Sequence, residues 1–424
     1  MIVRVKLYNE ILGTIDWIDG RSVFQYSSDA LNKGREPSPI VMPLEGRIYN
    51  TNRDHQNFHN LPYLISDSMP DDFGNIMMKE WLKRKELSIE DINPVDRLTY
   101  IGKRGMGAIE FEPIKHKEGN DYDINISDLL EITKRVLENK KDTSYDGINN
   151  ESLTDILRIG TSVGGARAKA LVAIKTDVDN NITEIKPGDI AQPGGFSYWL
   201  LKIDGANKKT LGEGEGEGKI EYAYYQMALK AGIEMSESRL IQESSRFHFL
   251  TKRFDRMDNG QKIHMQTLGA IAAIDYRIPK ASSYENLFRV MKRLQLPYYQ
   301  FEQQYRRALF NVVARNHDDH VKNFSFLMDE NGKWGISPAY DITYGYSQGG
   351  TWTHDHQSSI NDKFNDFTKE DLFSLADMFG IKKAKHILEE VIEAVSQWPK
   401  IANDLDIPIA DIEKKNKNLR VSDF

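Results

Sequence analysis

The sequence predicts an α+β protein, with a strand-rich N-terminal half and a helical C-terminal part. Three observations carry this. Alternating apolar and polar runs dominate the first 110 residues and return between 156 and 275. From about residue 284 the apolar positions recur at helical spacing to the end. The 424 residues are 40% apolar and 28% charged, enough for a large core in two or three domains.

The totals also exclude some chemistry. There is no cysteine, so disulfides, cysteine nucleophiles and zinc–thiolate sites are out, which fits a reducing compartment. The net charge of -7 argues against a free chain that grips DNA through its own surface, because phosphate contact needs a clustered positive face. A basic partner could change that. No apolar run approaches the roughly 18 residues of a membrane helix. The opening "MIVRVKLYNE" alternates like a strand rather than a signal peptide. A cytoplasmic, soluble protein without membrane contact is expected.

Taken in order, "IVRVKLYN", "LGTIDWID" and "SVFQYS" read as strands separated by "NE" and "DG" turns. "DDFGNIMMKEWLKRKEL" has helical spacing at Ile76, Met77, Trp81 and Leu82. The charged stretch 110–155 surrounds the helical "ISDLLEITKRVLEN", with a boundary near 115–125. "GARAKALVAIKT" and "SYWLLKID" are strand-bearing, and "IEYAYYQMALKAG" is a helix closed by Gly232. "RLIQE", "FHFLTKRFDR" and "KIHMQTL" read as strands. "SYENLFRVMKRLQ", "YYQFEQQYRRALFNVVARN", "KEDLFSLADMFG" and "KKAKHILEEVIEAVSQW" read as helices, followed by a frayed polar tail after 412. "GEGEGEG" (Gly212 to Gly218) lacks a phosphate-binding spacing, and its glutamates would repel phosphate, so it reads as a solvent loop.

The chemistry concentrates in "RNHDDHVKNFSFLMDENGKWGISPAYDITYG" (Arg315 to Gly345). Phosphoryl transfer needs a carboxylate beside the acceptor hydroxyl, oxygen ligands for magnesium, and a cation on the phosphates. Asp318 and Asn323 stand five residues apart, as base and metal ligand do in a kinase catalytic loop. Asp341 follows eighteen residues later, beyond a predicted hairpin that brings it to a strand end beside Asn323. Two other readings stay open: the HDDH cluster (His317 to His320) as an iron, manganese or zinc site, and Asp-Asp as a helix terminator.

The other half of such a site should lie earlier. "GTSVGGARAK" (Gly160 to Lys169) is a glycine-rich loop feeding a strand, which a plain hairpin loop could also be. Two strand lysines follow, Lys175 in "VAIK" and Lys202 in "YWLLKID"; Lys202, one strand later, is favoured. Glu221 at the next helix start either pairs with it or is an acid favoured by the helix dipole. Two tempting motifs read as structural. "GKRGMG" (Gly102 to Gly107) lacks the Walker spacing, and "DFG" (Asp72 to Gly74) precedes any glycine loop and reads as a helix start.

Together "TSVGGARAKALV", "LLKID", "KRFDR", "NHDDHVKNFSFL" and "ISPAYDI" resemble the HipA family of bacterial serine/threonine kinases, the toxins of HipBA toxin–antitoxin modules. The resemblance spans nearly the whole chain. It implies a protein-kinase-like two-lobed fold, divided as 1–120 (N-terminal strand-rich subdomain), 121–280 (N-lobe-like region with the ATP site) and 281–424 (all-helical C-lobe with the catalytic loop).

The same resemblance implies ATP and Mg2+ as cofactors. It makes Asp318 and His320 catalytic, and Asn323 and Asp341 metal ligands. ATP contacts fall to Ser162, Val163, Gly164, Gly165, Ala166, Lys169, Lys202 and Lys322, with Lys252 and Phe254 at the adenine hinge. Ser162 matches a serine whose autophosphorylation inactivates such kinases. Arg167 departs from the usual Gln of that loop, and Asp319 stands where some members have Gly. The implied partners are a HipB-like helix-turn-helix antitoxin, operator DNA mainly through that antitoxin, and a protein substrate such as an aminoacyl-tRNA synthetase, glutamyl-tRNA synthetase above all. Growth arrest, persistence and operon co-repression belong to the same expectation. The alternative is a corepressor scaffold with little kinase activity.

Overall fold

The computed structural model describes residues 1–70, 72–115, 123–137, 159–160, 167–205 and 216–424. The N-terminal strands β1 (Val3–Leu7), β2 (Glu10–Ile18), β3 (Arg21–Tyr26), β4 (Ile48–Asn50) and β5 (Ile109–Glu112) form one sheet in the order β4-β3-β2-β1-β5. The alternation sets its faces: Val3, Val5 and Leu7 are buried while Arg4 is exposed. A two-residue turn at Tyr8 and Asn9, both at positive φ (52° and 64°), closes the first hairpin. The short helices α1 (Ser28–Lys33) and α2 (Tyr63–Ser66) and the longer α3 (Asp72–Lys83), α4 (Pro94–Ile101) and α5 (Ile126–Leu137) accompany this sheet. Asp72 opens α3, as the helix-start reading of "DFG" expects, and α3 buries Phe73, Met77, Met78, Trp81 and Leu82.

The central sheet is β6 (Lys169–Thr176), β7 (Ile182–Pro187), β8 (Phe196–Lys202), β9 (Ser238–Glu243) and β10 (Arg246–Lys252), in the order β7-β6-β8-β10-β9. Helix α6 (Glu217–Lys230) packs against β9 and β10. One apolar core runs through both sheets, from Val3 to Leu250, with Met328 added.

The remaining elements are β11 (His264–Thr267), α7 (Leu268–Ala272), β12 (Ser282–Ser283), α8 (Tyr284–Arg293), α9 (Tyr298–Val313), β13 (Ser325–Met328), β14 (Trp334–Ile336), β15 (Ser358–Ser359), α10 (Lys369–Phe379), α11 (Ala384–Ser396), α12 (Trp398–Asp404) and α13 (Ile409–Asn416). Their core extends from Ile220 on α6 to Leu419. This part is helical apart from the expected β13–β14 hairpin, which pairs with β11, and the two-residue β12–β15 pair.

Two expectations need correction. The tail after 412 is docked rather than frayed: Leu419 and Arg420 are buried, and Arg420 donates from its backbone to Val313 O (2.9 Å) and from Nη2 to Phe367 O (2.8 Å). Its polar composition hid one apolar and one bidentate anchor. "GEGEGEG" is not solvent loop throughout. Residues 212–215 lie outside the described residues, but Gly216 caps α6 in the left-handed region (φ 71°) and Gly218 is buried in its first turn. A Cβ at Gly218 would sit 2.0 Å from Phe247 O, so only glycine lets α6 approach β10 this closely.

Candidate active site

The site is built where α6, the central sheet and the β13–β14 hairpin meet. In the β6–β8 ladder Lys169 stands opposite Lys202, and β10 brings Phe249 to the other side of Lys202. Both lysines are buried. The Lys202 Nζ bonds Glu221 on α6 and Asp341 beyond the hairpin. Burial alone would lower the Lys202 ammonium, but Asp341 and Glu221 outweigh it and raise its pKa. Burial raises Glu221, partly offset by Lys202. Burial would raise Asp341 too, yet Lys202, Lys169 and Arg167 overcome it and hold that carboxyl well below the ordinary range. Lys175, the other strand lysine, is paired with Glu184 at 2.7 Å, with 44% of its side chain exposed.

Helix α9 delivers the catalytic loop. Arg315 turns the chain at φ 56°, and Asn316 is tied back to Asn311 through backbone (2.9 Å) and side chain (2.9 Å). Asn323 donates from Nδ2 to Asp318 O at 2.7 Å, which bends 318–323 into a closed loop and leaves the amide oxygen for another partner. His320 Nδ1 accepts from Lys322 N (3.2 Å), so its Nε2 carries the proton and faces Asp318 Oδ1 at 3.7 Å. Asp318 keeps 46% of its side-chain surface, at the mouth of the cleft. The surrounding walls withdraw water and push its pKa up; Asp341 and Asp319 add to this and His320 opposes it.

Its neighbour Asp319 has the opposite fate. It is buried and accepts from Tyr284 Oη (2.8 Å), Gln357 N (2.7 Å) and Ser358 N (3.3 Å), with His356 Nδ1 at 2.8 Å. His317 is likewise buried, its ring 4.0 Å from that of His356. The four residues His317 to His320 therefore do not converge on one point, and among the described residues no group of three His, Asp or Glu could hold a metal ion.

The segment 337–345 closes the site from the other side. Ser337 N reaches Ser325 O (2.9 Å), and Tyr340 Oη donates to Lys322 O (2.6 Å), so hairpin and loop are stitched together. Asp341 itself sits at φ 56°, a left-handed conformation rare for a residue with a Cβ and frequent at functional positions. Gly345 leaves no room for a side chain: a Cβ there would meet His317 N at 2.9 Å and Asp318 N at 3.0 Å.

The expected residues Asp318, His320, Asn323, Asp341, Lys202, Glu221 and Lys169 thus gather around one cleft, while the Lys322 ammonium lies 4.4 Å from the Tyr276 ring. The Phe254 ring lies 5.3 Å from that of Tyr340, tilted by 45°. Lys252, opposite Trp199 at the end of β10, pairs its ammonium with Asp258 (2.9 Å). Its backbone N–H already donates to Glu237 O (2.7 Å), so an adenine hinge would have to use other backbone groups there. Ser162, Val163, Gly164, Gly165 and Ala166 lie outside the described residues. "GKRGMG" is a structural joint to the segment after β10: Asp255 accepts from Gly107 N (2.7 Å), and Arg256 donates to Gly105 O (2.7 Å) and Gly107 O (2.8 Å).

Sequence reading missed Tyr340 and the anchoring role of Asp319. A hydroxyl one residue before Asp341 and a second Asp in the loop were the signals available. The donor set suits a hard cation: the Asp341 carboxylate, held ionised, and the free amide oxygen of Asn323 are oxygen ligands of the kind magnesium takes.

Comparison with known proteins agrees with this geometry. Residues 161–398 match the HipA-like C-terminal domain and residues 3–112 the HipA N-terminal domain. A Haemophilus influenzae protein named "Putative kinase" is 25% identical over 196 residues, 43% of this chain. The chain spans 52% of that relative's length. Among solved structures, the Shewanella oneidensis toxin–antitoxin HipA, in complex with HipB and operator DNA, superposes with a TM-score of 0.69 at 16% identity, covering 98% of this chain and 95% of that one. The Helicobacter pylori proinflammatory kinase CtkA covers 58% of this chain at 9% identity with a TM-score of 0.34. The fold is that of the Shewanella HipA structure, and the chain belongs to the HipA family.

Proposed function

We propose that this protein is an ATP-dependent serine/threonine protein kinase, the toxin of a toxin–antitoxin pair. The observation that carries the reading is the buried Lys202, shared between Glu221 and Asp341 beside the Asp318–Asn323 loop. Such an ion cluster has no structural need for the left-handed Asp341 or the half-open Asp318.

In this reading Lys202 and Lys169 bear on the nucleotide phosphates, and Asn323 and Asp341 hold magnesium. Bound Mg2+ would neutralise charge on the phosphates. Asp318 orients the acceptor hydroxyl and takes its proton, with His320 Nε2 standing 3.7 Å from its carboxylate. Glu221 keeps Lys202 charged and extended. Lys322 supports the loop through its carbonyl, and the backbone around Lys252 and Phe254 borders adenine.

The partners proposed are a HipB-like antitoxin and, through it, operator DNA, as in the Shewanella complex. The net charge of -7 supports DNA contact by way of a basic partner. The substrate proposed is a translation component such as an aminoacyl-tRNA synthetase, with autophosphorylation of Ser162 as the off-switch. The test is incubation of the purified chain with magnesium and labelled ATP, alone and with a kinase-depleted lysate, followed by phosphosite mapping. Label on Ser162 and on one lysate protein is expected; no transfer to any protein would overturn the reading.

A further inference from the structure

Arg167 is a cation beside this cleft that the proposed mechanism leaves unused. It enters β6 two residues before Lys169. Its Nη2 bonds Glu217 Oε2 at 2.8 Å, and its Nη1 lies 3.8 Å from Glu221 Oε2. Glu221 is thus divided: Lys202 takes Oε1 and Arg167 faces Oε2. The guanidinium also acts on the other two carboxylates, lowering the pKa of Asp341 and opposing the rise in that of Asp318.

Its pairing is not that of a structural arginine. The side chain keeps 44% of its surface, and Glu217 keeps 38%. By contrast, Arg253 and Asp255 keep 2% and 1%. An ion pair open to water on both sides contributes little and exchanges partners cheaply. A guanidinium meeting a phosphate gains two parallel charge-assisted bonds. Glu217 sits in the first turn of α6, so on release it keeps the stabilisation of the helix N-terminus.

We infer that Arg167 is a third phosphate-binding cation of the nucleotide site, held in reserve by Glu217 and exchanged onto the triphosphate when nucleotide enters. This rests on the kinase reading. It makes Glu217 a competitor of ATP rather than a support of the site, and the two readings of that bridge predict opposite signs.

The test is calorimetry of a non-hydrolysable ATP analogue with magnesium on the full chain and its variants. Arg167→Gln should weaken binding about tenfold or more. Glu217→Gln should tighten it about two- to fivefold, by removing the competing anion. The double variant should match Arg167→Gln alone, because the competition exists only through the arginine. Arg167→Lys should recover part of the loss, since a lysine keeps the charge without the fork. Weakening by Glu217→Gln, or unchanged affinity in Arg167→Gln, would overturn the assignment while leaving the kinase reading intact. A wild-type chain that binds no nucleotide would remove the kinase reading and this inference with it.

Discussion

Two buried ion clusters among the described residues, around Asp255 and around Lys202, are finished differently. Around Asp255 every acceptor is used: Arg253 donates twice (2.8 and 2.7 Å), Arg256 once (3.0 Å) and Gly107 N once (2.7 Å). Around Lys202 the cation is shared between two carboxylates, and Asp341 keeps 33% of its side-chain surface on a left-handed backbone. The first cluster is closed and ties the "GKRGMG" loop to the segment after β10. The second leaves charge and oxygen facing a cleft. Burial of charge alone does not mark a functional site; incomplete saturation at a conformationally costly residue does.

The contrast is broken most sharply by one variant in each cluster's neighbourhood. Asp318→Asn should cut phosphoryl transfer by about 10²- to 10⁴-fold with thermal stability unchanged, since it removes a proton acceptor and no anchoring bond. In the wild type the raised Asp318 pKa should carry the acid limb of kcat/KM above the usual carboxylate range. A variant with wild-type turnover would remove Asp318 from the chemistry.

Asp255→Ala should do the reverse. It strands two buried guanidiniums and should cost about 3–5 kcal/mol of stability, read by denaturant unfolding. A small loss would mean that the closed cluster is no more structural than the open one.

Asp341→Ala sharpens the comparison from the open side. Lys202 retains Glu221, so the fold should hold. Magnesium-dependent affinity for an ATP analogue should fall about 10- to 100-fold, with magnesium-free binding little changed. Equal losses with and without magnesium would take Asp341 out of the metal shell.

The mildest test is acid. Burial pushes His248 and His264 down to about 4, and both are fully buried. His248 Nδ1 accepts from Asp204 N at 2.9 Å, so protonation would break that bond. Between about pH 6.5 and 4 the unfolded chain takes up protons that the folded chain refuses. Stability contributed by each neutral histidine should therefore be full above 6.5 and decline by about 1.4 kcal/mol per pH unit below it. Flat unfolding free energy from pH 7 to 5 would contradict this.

Much of this was legible in residue order. Period-2 alternation fixes β1 and β3, because a one-residue slip would turn Val3, Val5 and Leu7 outward. The five-residue step from Asp318 to Asn323 and the hairpin before Asp341 already specified a loop facing a strand end, since both are local in the chain. Strand order and the turn after Lys175 favour Lys202 as the phosphate lysine; Lys202 is buried, whereas Lys175 is half-exposed and paired with Glu184.

What only the tertiary structure decided are the relations between distant segments. That Asp318 opens to the cleft while Asp319 anchors the loop depends on residues 284 and 356–358 folding over one of two identical neighbours. That "GKRGMG" is a joint depends on Asp255, 148 residues away. That the polar tail docks depends on α9 and the Phe367 carbonyl. Whether Glu221 was a helix-start acid or the partner of Lys202 was settled by Gly218, which lets α6 close on β10. Sequence spacing fixes what a residue can reach along its own element; burial and charge pairing are set by what the fold brings from elsewhere, and no local pattern encodes that.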